Sequence, residues 1–414
     1  MNTSLKKNFS QLSNLLSCLA LLIWQLPMNA HAEDAIQAQG SLVAIGGALR
    51  MDNAPVWQRI VLQAGGKGAR IAVIPAAAGN PEKSGAFAVE ALNQNGAQAF
   101  LIPLSVRHAQ FKPQEIVNDA AWLDKLKDAS GVFFTGGDQG RIVQALVKPD
   151  GSKTAMLEAI WALYQRGGVI AGSSAGAAIM STTMFYDAKP VLPTLKLGVT
   201  DGKEIAAGLG FIGPDVFIDQ HLIIRGRFAR MLPVMLKKNY KLGLGVDENT
   251  AVVISNQGEV EIIGYKGAIL FDLSQATTDG TQKNFNISNA RISYLDRGDR
   301  FNLRSKTLTP SADKLHHKLN PAQASNTDQR FYPDILANTV VTDLMFHLID
   351  GKQERAIGLA FGMDAQPALG FEFSFSKVAE SQGYYSNASG AESYTVHNLR
   401  LDVRPVSMNL PLYK

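Results

Sequence analysis

Five short runs rich in apolar and β-branched residues constrain the fold more than any other feature of the chain. They are 41–47 (SLVAIGG), 70–76 (RIAVIPA), 99–104 (AFLIPL), 131–137 (GVFFTGG) and 168–173 (GVIAGS). In several of them the apolar residues are consecutive instead of alternating, as in strands buried on both faces of a parallel sheet. Between them, residues 54–66 and 154–168 repeat apolar positions with helical period and end in glycine pairs. That pattern marks amphipathic helices closed by a C-cap. Strands sandwiched between helices predict an α/β three-layer domain around a mostly parallel sheet, with functional loops at the strand C-termini. Farther on, 242–255 and 259–273 read as strands joined by the turn Asn256-Gln257-Gly258.

The 414 residues, 46% of them hydrophobic, suffice for two domains or for one domain with an extension. Residues 1–32 have the layout of a secretory signal peptide: Lys6 and Lys7, an apolar stretch over 15–26, and Ala30-His31-Ala32 before Glu33-Asp34. The apolar stretch is short for a membrane span. The expectation is therefore cleavage near Ala32 and a secreted or periplasmic protein without stable membrane association. Cys18, the single cysteine, lies in that leader. Its surroundings (Leu15-Leu16-Ser17-Cys18) faintly resemble a lipid-attachment site, but the apolar run mostly follows the cysteine, so plain cleavage is the stronger expectation. The cleaved form has neither a disulfide nor a nucleophilic thiol. Loss of the two lysines takes the formal charge from +4 to +2, which suggests no nucleic-acid partner. The α/β domain is expected over 33–306. From 307 to 329 the chain turns polar, with His316 and His317, and reads as a linker or surface insertion. Beyond it a helical pattern over 337–351, an alternating strand over 369–380 and a last strand over 395–406 predict a small α+β extension, or a return to the main sheet.

The run 168–180 breaks at Gly172-Ser173-Ser174-Ala175-Gly176, a G-x-S-x-G pattern at a strand-to-helix bend. Such an elbow exposes a serine hydroxyl at a helix N-terminus, where free amides favour a developing anion. The ordinary alternative is a serine N-cap between turn glycines. A nucleophilic serine needs a base and a group to orient it. Of the histidines, His316 and His317 sit in the polar segment, His347 and His397 suit packing roles, and His108 has no acid cluster beside it in sequence. His221 ends the strand-like run 215–221 as Asp219-Gln220-His221 and is followed by Arg225, Arg227 and Arg230. Either Asp247 or Glu248, in the otherwise apolar 244–253, is placed to orient it. There is no HExxH, no cysteine cluster and no dinucleotide fingerprint, so neither metal nor other cofactor is expected. Arg297-Gly298-Asp299 is a three-residue match of the kind that arises by chance.

Four motifs together, Thr135-Gly136-Gly137-Asp138-Gln139, Gly172–Ala178, Asp219-Gln220-His221 with arginines at +4, +6 and +9, and Gly245-Val246-Asp247-Glu248-Asn249-Thr250, resemble the cyanophycinases. These are serine peptidases related to aspartyl dipeptidase and to class I glutamine amidotransferase-like, flavodoxin-like folds. The resemblance runs over about residues 40–275. It implies Ser174 as nucleophile, His221 as general base and Glu248 as orienting acid, an order unlike the Ser, acid, His of α/β-hydrolases. It implies an oxyanion hole from the Ala175 amide with one from the 136–138 loop, Gly137 or Asp138. It also implies a substrate set of Gln139, Asp219, Gln220, Arg225, Arg227 and Arg230. The implied substrate is cyanophycin, a poly-aspartate whose side-chain carboxyls each carry arginine, released as β-Asp-Arg. Guanidinium forks suit its free carboxylates, and Asp219, Gln139 and Gln220 are candidate acceptors for its arginines, although Asp219 equally suits holding an arginine of the protein. Small Asp-containing or isoaspartyl peptides are the alternative substrates. A homodimer is compatible with the sequence but not specified by it. Ser173 for threonine, Gly46-Gly47-Ala48 without a following acid, the leader and the extension depart from the compact cytoplasmic members.

Overall fold

A computed structural model describes residues 38–320, 323–324, 327–328, 330–362 and 368–409; the leader over 1–32 lies outside these. All five apolar runs form strands: β1 (Ser41–Ile45), β2 (Arg70–Ile74), β3 (Gln98–Leu101), β4 (Gly131–Phe134) and β5 (Val169–Ser173). They pair in parallel in the order β1-β5-β4-β2-β3. Helices Ala54–Gln63 and Ala155–Gln165 form where the periodicity placed them, the second N-capped by the Thr154 hydroxyl, which accepts from the Leu157 amide. Separate apolar cores lie on the two faces of this sheet, one holding Leu42, Ile74, Phe134 and Trp161, the other Val43, Trp57, Ile71 and Phe133.

The parallel strands are five of the nine in a mixed sheet. A short hairpin, β6 (Thr183–Phe185) with β7 (Ile205–Ala207), follows β5. Next come β8 (Val216–Gln220), β9 (Leu242–Val246), β10 (Thr250–Ile254), β11 (Glu259–Gly264), β12 (Ala268–Asp272), β13 (Ile287–Leu295), β14 (Arg300–Asn302) and β15 (Thr307–Thr309). β10, β11, β14 and β15 continue the first sheet from β1 in antiparallel pairing. The runs 242–255 and 259–273 are therefore two strands each. β9 and β12 belong to a second sheet, so the chain crosses to the first sheet at the corner after β9 and returns after β11. At the corner after β9, Asn249 takes φ 55° and its carbonyl accepts from the Tyr265 amide. The strands on either side of the corner are both apolar and buried, so the change of sheet left no mark in the apolar pattern.

The C-terminal strands form neither a small α+β extension nor a return to the first sheet, the two expectations from sequence; they join the second sheet. Its order is β16 (Phe331–Tyr332), β17 (Arg355–Phe361), β18 (Ala368–Ser376), β20 (Ser393–Met408), β13, β12, β9, β8, with β19 (Gln382–Ser386) also on β20. β13 thus finds its second neighbour in β20, more than a hundred residues later. Phe217, Phe228 and Phe271 share one core with Leu344, Phe371 and Leu401. The boundary at 306/307 also falls inside the first sheet, since β15 pairs with β14. The polar segment after it is anchored as well: Lys314 is buried, 3.3 Å from Asp296 and 3.4 Å from Asp299. Among the described residues no helix is long and apolar enough to cross a membrane.

Candidate active site

Ser174 stands between β5 and the short helix Ala175–Ala178 with φ 54° and ψ −106°, a strained conformation for a residue with a Cβ. Its amide donates to the Ile45 carbonyl at 2.9 Å. The flanking glycines serve close approach: a Cβ on Gly172 would fall on the Gly176 carbonyl, and one on Gly176 on the carbonyl of Phe134. Ser174 makes no N-cap hydrogen bond with its side chain. Its Oγ lies instead 2.8 Å from His221 Nε2.

His221 follows β8 in a left-handed conformation, φ 51°, its amide donating to the Gly46 carbonyl at 2.8 Å. The imidazole lies against Gly47, where any side chain would overlap it. Nδ1 is 2.5 Å from Glu248 Oε1. A carboxylate only accepts, so the neutral ring carries its proton on Nδ1 and leaves Nε2 to accept from the Ser174 hydroxyl. Burial lowers the His221 pKa below its ordinary 6.5, and Arg225 and Arg227 add to this against the opposing pull of Glu248. The ring is thus a free base at neutral pH. Burial works against the charge on Glu248, but hydrogen bonds and charge from His221 and Arg225 outweigh it and hold the carboxyl below its usual range.

Asp247, the other acid open to the sequence reading, points the opposite way. Buried, it accepts on Oδ1 from the amides of Ile223 and Ile224 at 3.2 and 3.0 Å, and its Oδ2 is 3.1 Å from Lys266 Nζ. It holds the backbone that leaves His221, a role with no sequence signal beyond an acid in an apolar run.

Gly136 packs on Ser174, a Cβ there lying 3.2 Å from the serine Cβ. Ala175 supplies the first amide of its helix, outside the helical ladder. The Asp138 amide is already spent on the Ala77 carbonyl at 3.0 Å. That corrects its expected place in the oxyanion hole, for which the Gly137 and Ala175 amides remain the candidates.

The expected substrate residues do converge here, several of them already paired with one another. Arg230 makes a buried bidentate pair with Asp219, both bonds 2.7 Å, and its guanidinium lies 4.1 Å from the Phe185 ring centroid. Arg227 donates to the Gln220 carbonyl at 3.2 Å and to Gln220 Oε1 at 3.1 Å. Burial, then neighbouring Arg230, pull its pKa down to about 10, so it stays charged at neutral pH. Arg225, half exposed, donates to Glu248 at 3.2 Å. Gln139 gives its Nε2 to the Phe185 carbonyl at 2.5 Å and keeps Oε1. Phe185 was invisible in sequence because an aromatic in a short apolar stretch reads as core.

Among the described residues, three of the other histidines have side-chain partners elsewhere. His108, with no acid cluster beside it in sequence, lies 3.5 Å from Glu82, brought in by the fold. His347 contacts Asp343, and buried His397 lies 3.3 Å from Ser293 Oγ. His316 and His317 lie on the segment between β15 and β16. Among the described residues no three His, Cys, Asp or Glu side chains cluster as metal ligands would.

Residues 42–262 match the description "Peptidase family S51". The chain is 32% identical over 282 residues to "Cyanophycinase" of Geminocystis herdmanii, covering 66% of this chain and 97% of that protein. It is 28% identical over 285 residues to "Cyanophycinase" of Trichormus variabilis, covering 66% and 89%. Among solved structures, a peptidase from an acI-B1 Actinobacterium superposes with a TM-score of 0.48 at 20% identity, covering 64% of this chain and 98% of its own.

Proposed function

Because the chain belongs to peptidase family S51, the cyanophycinase family, and is a serine peptidase, we propose that it hydrolyses cyanophycin to β-Asp-Arg as an exopeptidase. The line Ser174 Oγ, His221 Nε2, His221 Nδ1, Glu248 carries the reading, with spacings of 2.8 and 2.5 Å. Ser174 Oγ attacks the carbonyl carbon of the amide joining successive aspartates as His221 Nε2 takes its proton. Glu248 stabilises the resulting imidazolium, and the Ala175 and Gly137 amides receive the oxyanion. Collapse breaks the C–N bond, His221 returns the proton to the leaving nitrogen, and an acyl-Ser174 ester remains. Water, deprotonated by the same imidazole, then hydrolyses that ester and restores the serine.

Arg225 and Arg227, at the edge of this group, suit the polymer's free carboxylates. Pairing of Arg230 with Asp219 makes these two the support for the other arginines of the cluster and reduces the carboxylate forks on offer. That observation favours the second reading, in which small isoaspartyl or other Asp-containing peptides are the substrates. Export rests on the layout of residues 1–32; its check is the N-terminal sequence of protein recovered outside the cytoplasm, expected to start near Glu33.

The deciding experiment incubates purified cyanophycin with the protein and with Ser174→Ala. Release of β-Asp-Arg by the former alone is expected. Turnover of isoaspartyl dipeptides without release from the polymer would establish the second reading, and release undiminished by Ser174→Ala would remove the nucleophile.

A further inference from the structure

The side chains that sequence offered for the substrate's arginine are mostly occupied. Asp219 is filled by Arg230, and Gln220 Oε1 accepts from Arg227. A guanidinium arriving at this site needs another anion. The nearest candidate along the chain is the Asp138 carboxylate, two residues past the Gly136 that packs on Ser174. Its Oδ1 caps the helix Gln139–Leu146 by accepting from the Gly140 amide at 2.9 Å, and its Oδ2 is 3.4 Å from Arg141 Nε. The carboxylate is still 49% exposed, so it has room for a second cation.

Tyr186 stands beside it. The residue is 52% exposed, one of five exposed aromatics among the described residues. A Cβ on Gly140 would overlap the Tyr186 ring while lying 3.1 Å from Asp138 Oδ1, so ring and carboxylate flank one glycine. The preceding residue, Phe185, ties them to the reaction centre: its carbonyl accepts from Gln139 and its ring carries Arg230. A planar cation gains from a ring face and an adjacent carboxylate together.

We infer that the Tyr186 ring and the Asp138 carboxylate form a guanidinium subsite that selects the arginine side chain of the substrate. The inference rests on the cyanophycin reading and adds a specificity site to it.

The test measures binding of β-Asp-Arg and of its citrulline analogue, the neutral isostere, to Ser174→Ala by calorimetry. The second substitutions are Asp138→Asn, which keeps a cap acceptor without the charge, Tyr186→Ala, and Tyr186→Phe, which keeps the ring. A preference for the arginine ligand is expected. It should shrink about tenfold with Asp138→Asn and with Tyr186→Ala, and by no more than about twofold with Tyr186→Phe. An unchanged arginine-to-citrulline ratio in Asp138→Asn and Tyr186→Ala, or equal loss of both ligands, would overturn the subsite. Binding needs no turnover, so failure of the wild type to cleave cyanophycin would count against the proposed function alone.

Discussion

At the scale of single residues, the electrostatics around His221 set a pH profile that two substitutions move in opposite directions. The working form is the neutral imidazole, so kcat/KM stays level wherever His221 is unprotonated and falls as pH drops through its pKa. That pKa is lowered from 6.5 by burial and by Arg225 and Arg227, which places the acid limb below 6.5. Arg225→Ala removes a cation that disfavours imidazolium, so the limb moves to higher pH. Glu248→Gln removes the anion that favours imidazolium, so the limb moves lower while kcat falls, by about 10³–10⁴-fold if the orienting role holds. Profiles of kcat/KM over about pH 4–8 separate the two. Limbs shifting together, or an unaltered kcat in Glu248→Gln, would show that Glu248 does not orient the base.

At the scale of elements, the corner where the chain crosses from β9 to β10 holds the site together. Glu248 turns toward His221, and Asp247, one residue earlier, toward the amides of Ile223 and Ile224. Asp247→Ala strands both amides and is expected to cost about 2–4 kcal/mol of stability, whereas Asp247→Asn retains an acceptor and costs less. Chemical denaturation of the three proteins measures this, and equal midpoints would mean the amides find other acceptors. The same corner marks the limit of what sequence conveys. The parallel strands were legible because burial on both faces leaves consecutive apolar residues, and Ser174, His221 and the pair Asp247-Glu248 stood out as candidates because each sits in a polar break at a strand end. The division of labour between Asp247 and Glu248 was open to the residues alone, since both lie in one apolar run whose bend carries no proline and only Asn249 as a left-handed residue. The pairing of Asp219 with Arg230 is a tertiary choice that spacing along the chain leaves open.

At the scale of the molecule, the C-terminal strands are structural to the site-bearing region. β13 pairs with β20 from Ile287↔Val403 to Tyr294↔Val396, and the Phe228 and Phe373 rings lie 5.7 Å apart. Gly226, inside the arginine-bearing segment, lies so close to the Leu336 carbonyl that a Cβ there would overlap it. The turn after β13 depends equally on later residues: Asp299 is fully buried, and its pKa is raised by burial in spite of Lys314 and the Thr395 hydroxyl. Deleting everything after residue 306 removes Lys314, the hydroxyls of Ser393 and Thr395 that donate to Asp296 and Asp299, and the apolar cover of β13. Leaving a buried carboxylate without its cation costs about 3–5 kcal/mol by itself, a large part of the roughly 5–15 kcal/mol that holds a domain folded. The fragment 33–306 is therefore expected to be insoluble, or to lack cooperative thermal unfolding and Ser174-dependent hydrolysis. A soluble fragment that melts cooperatively and retains activity would instead make the last hundred residues an accessory to a self-sufficient peptidase.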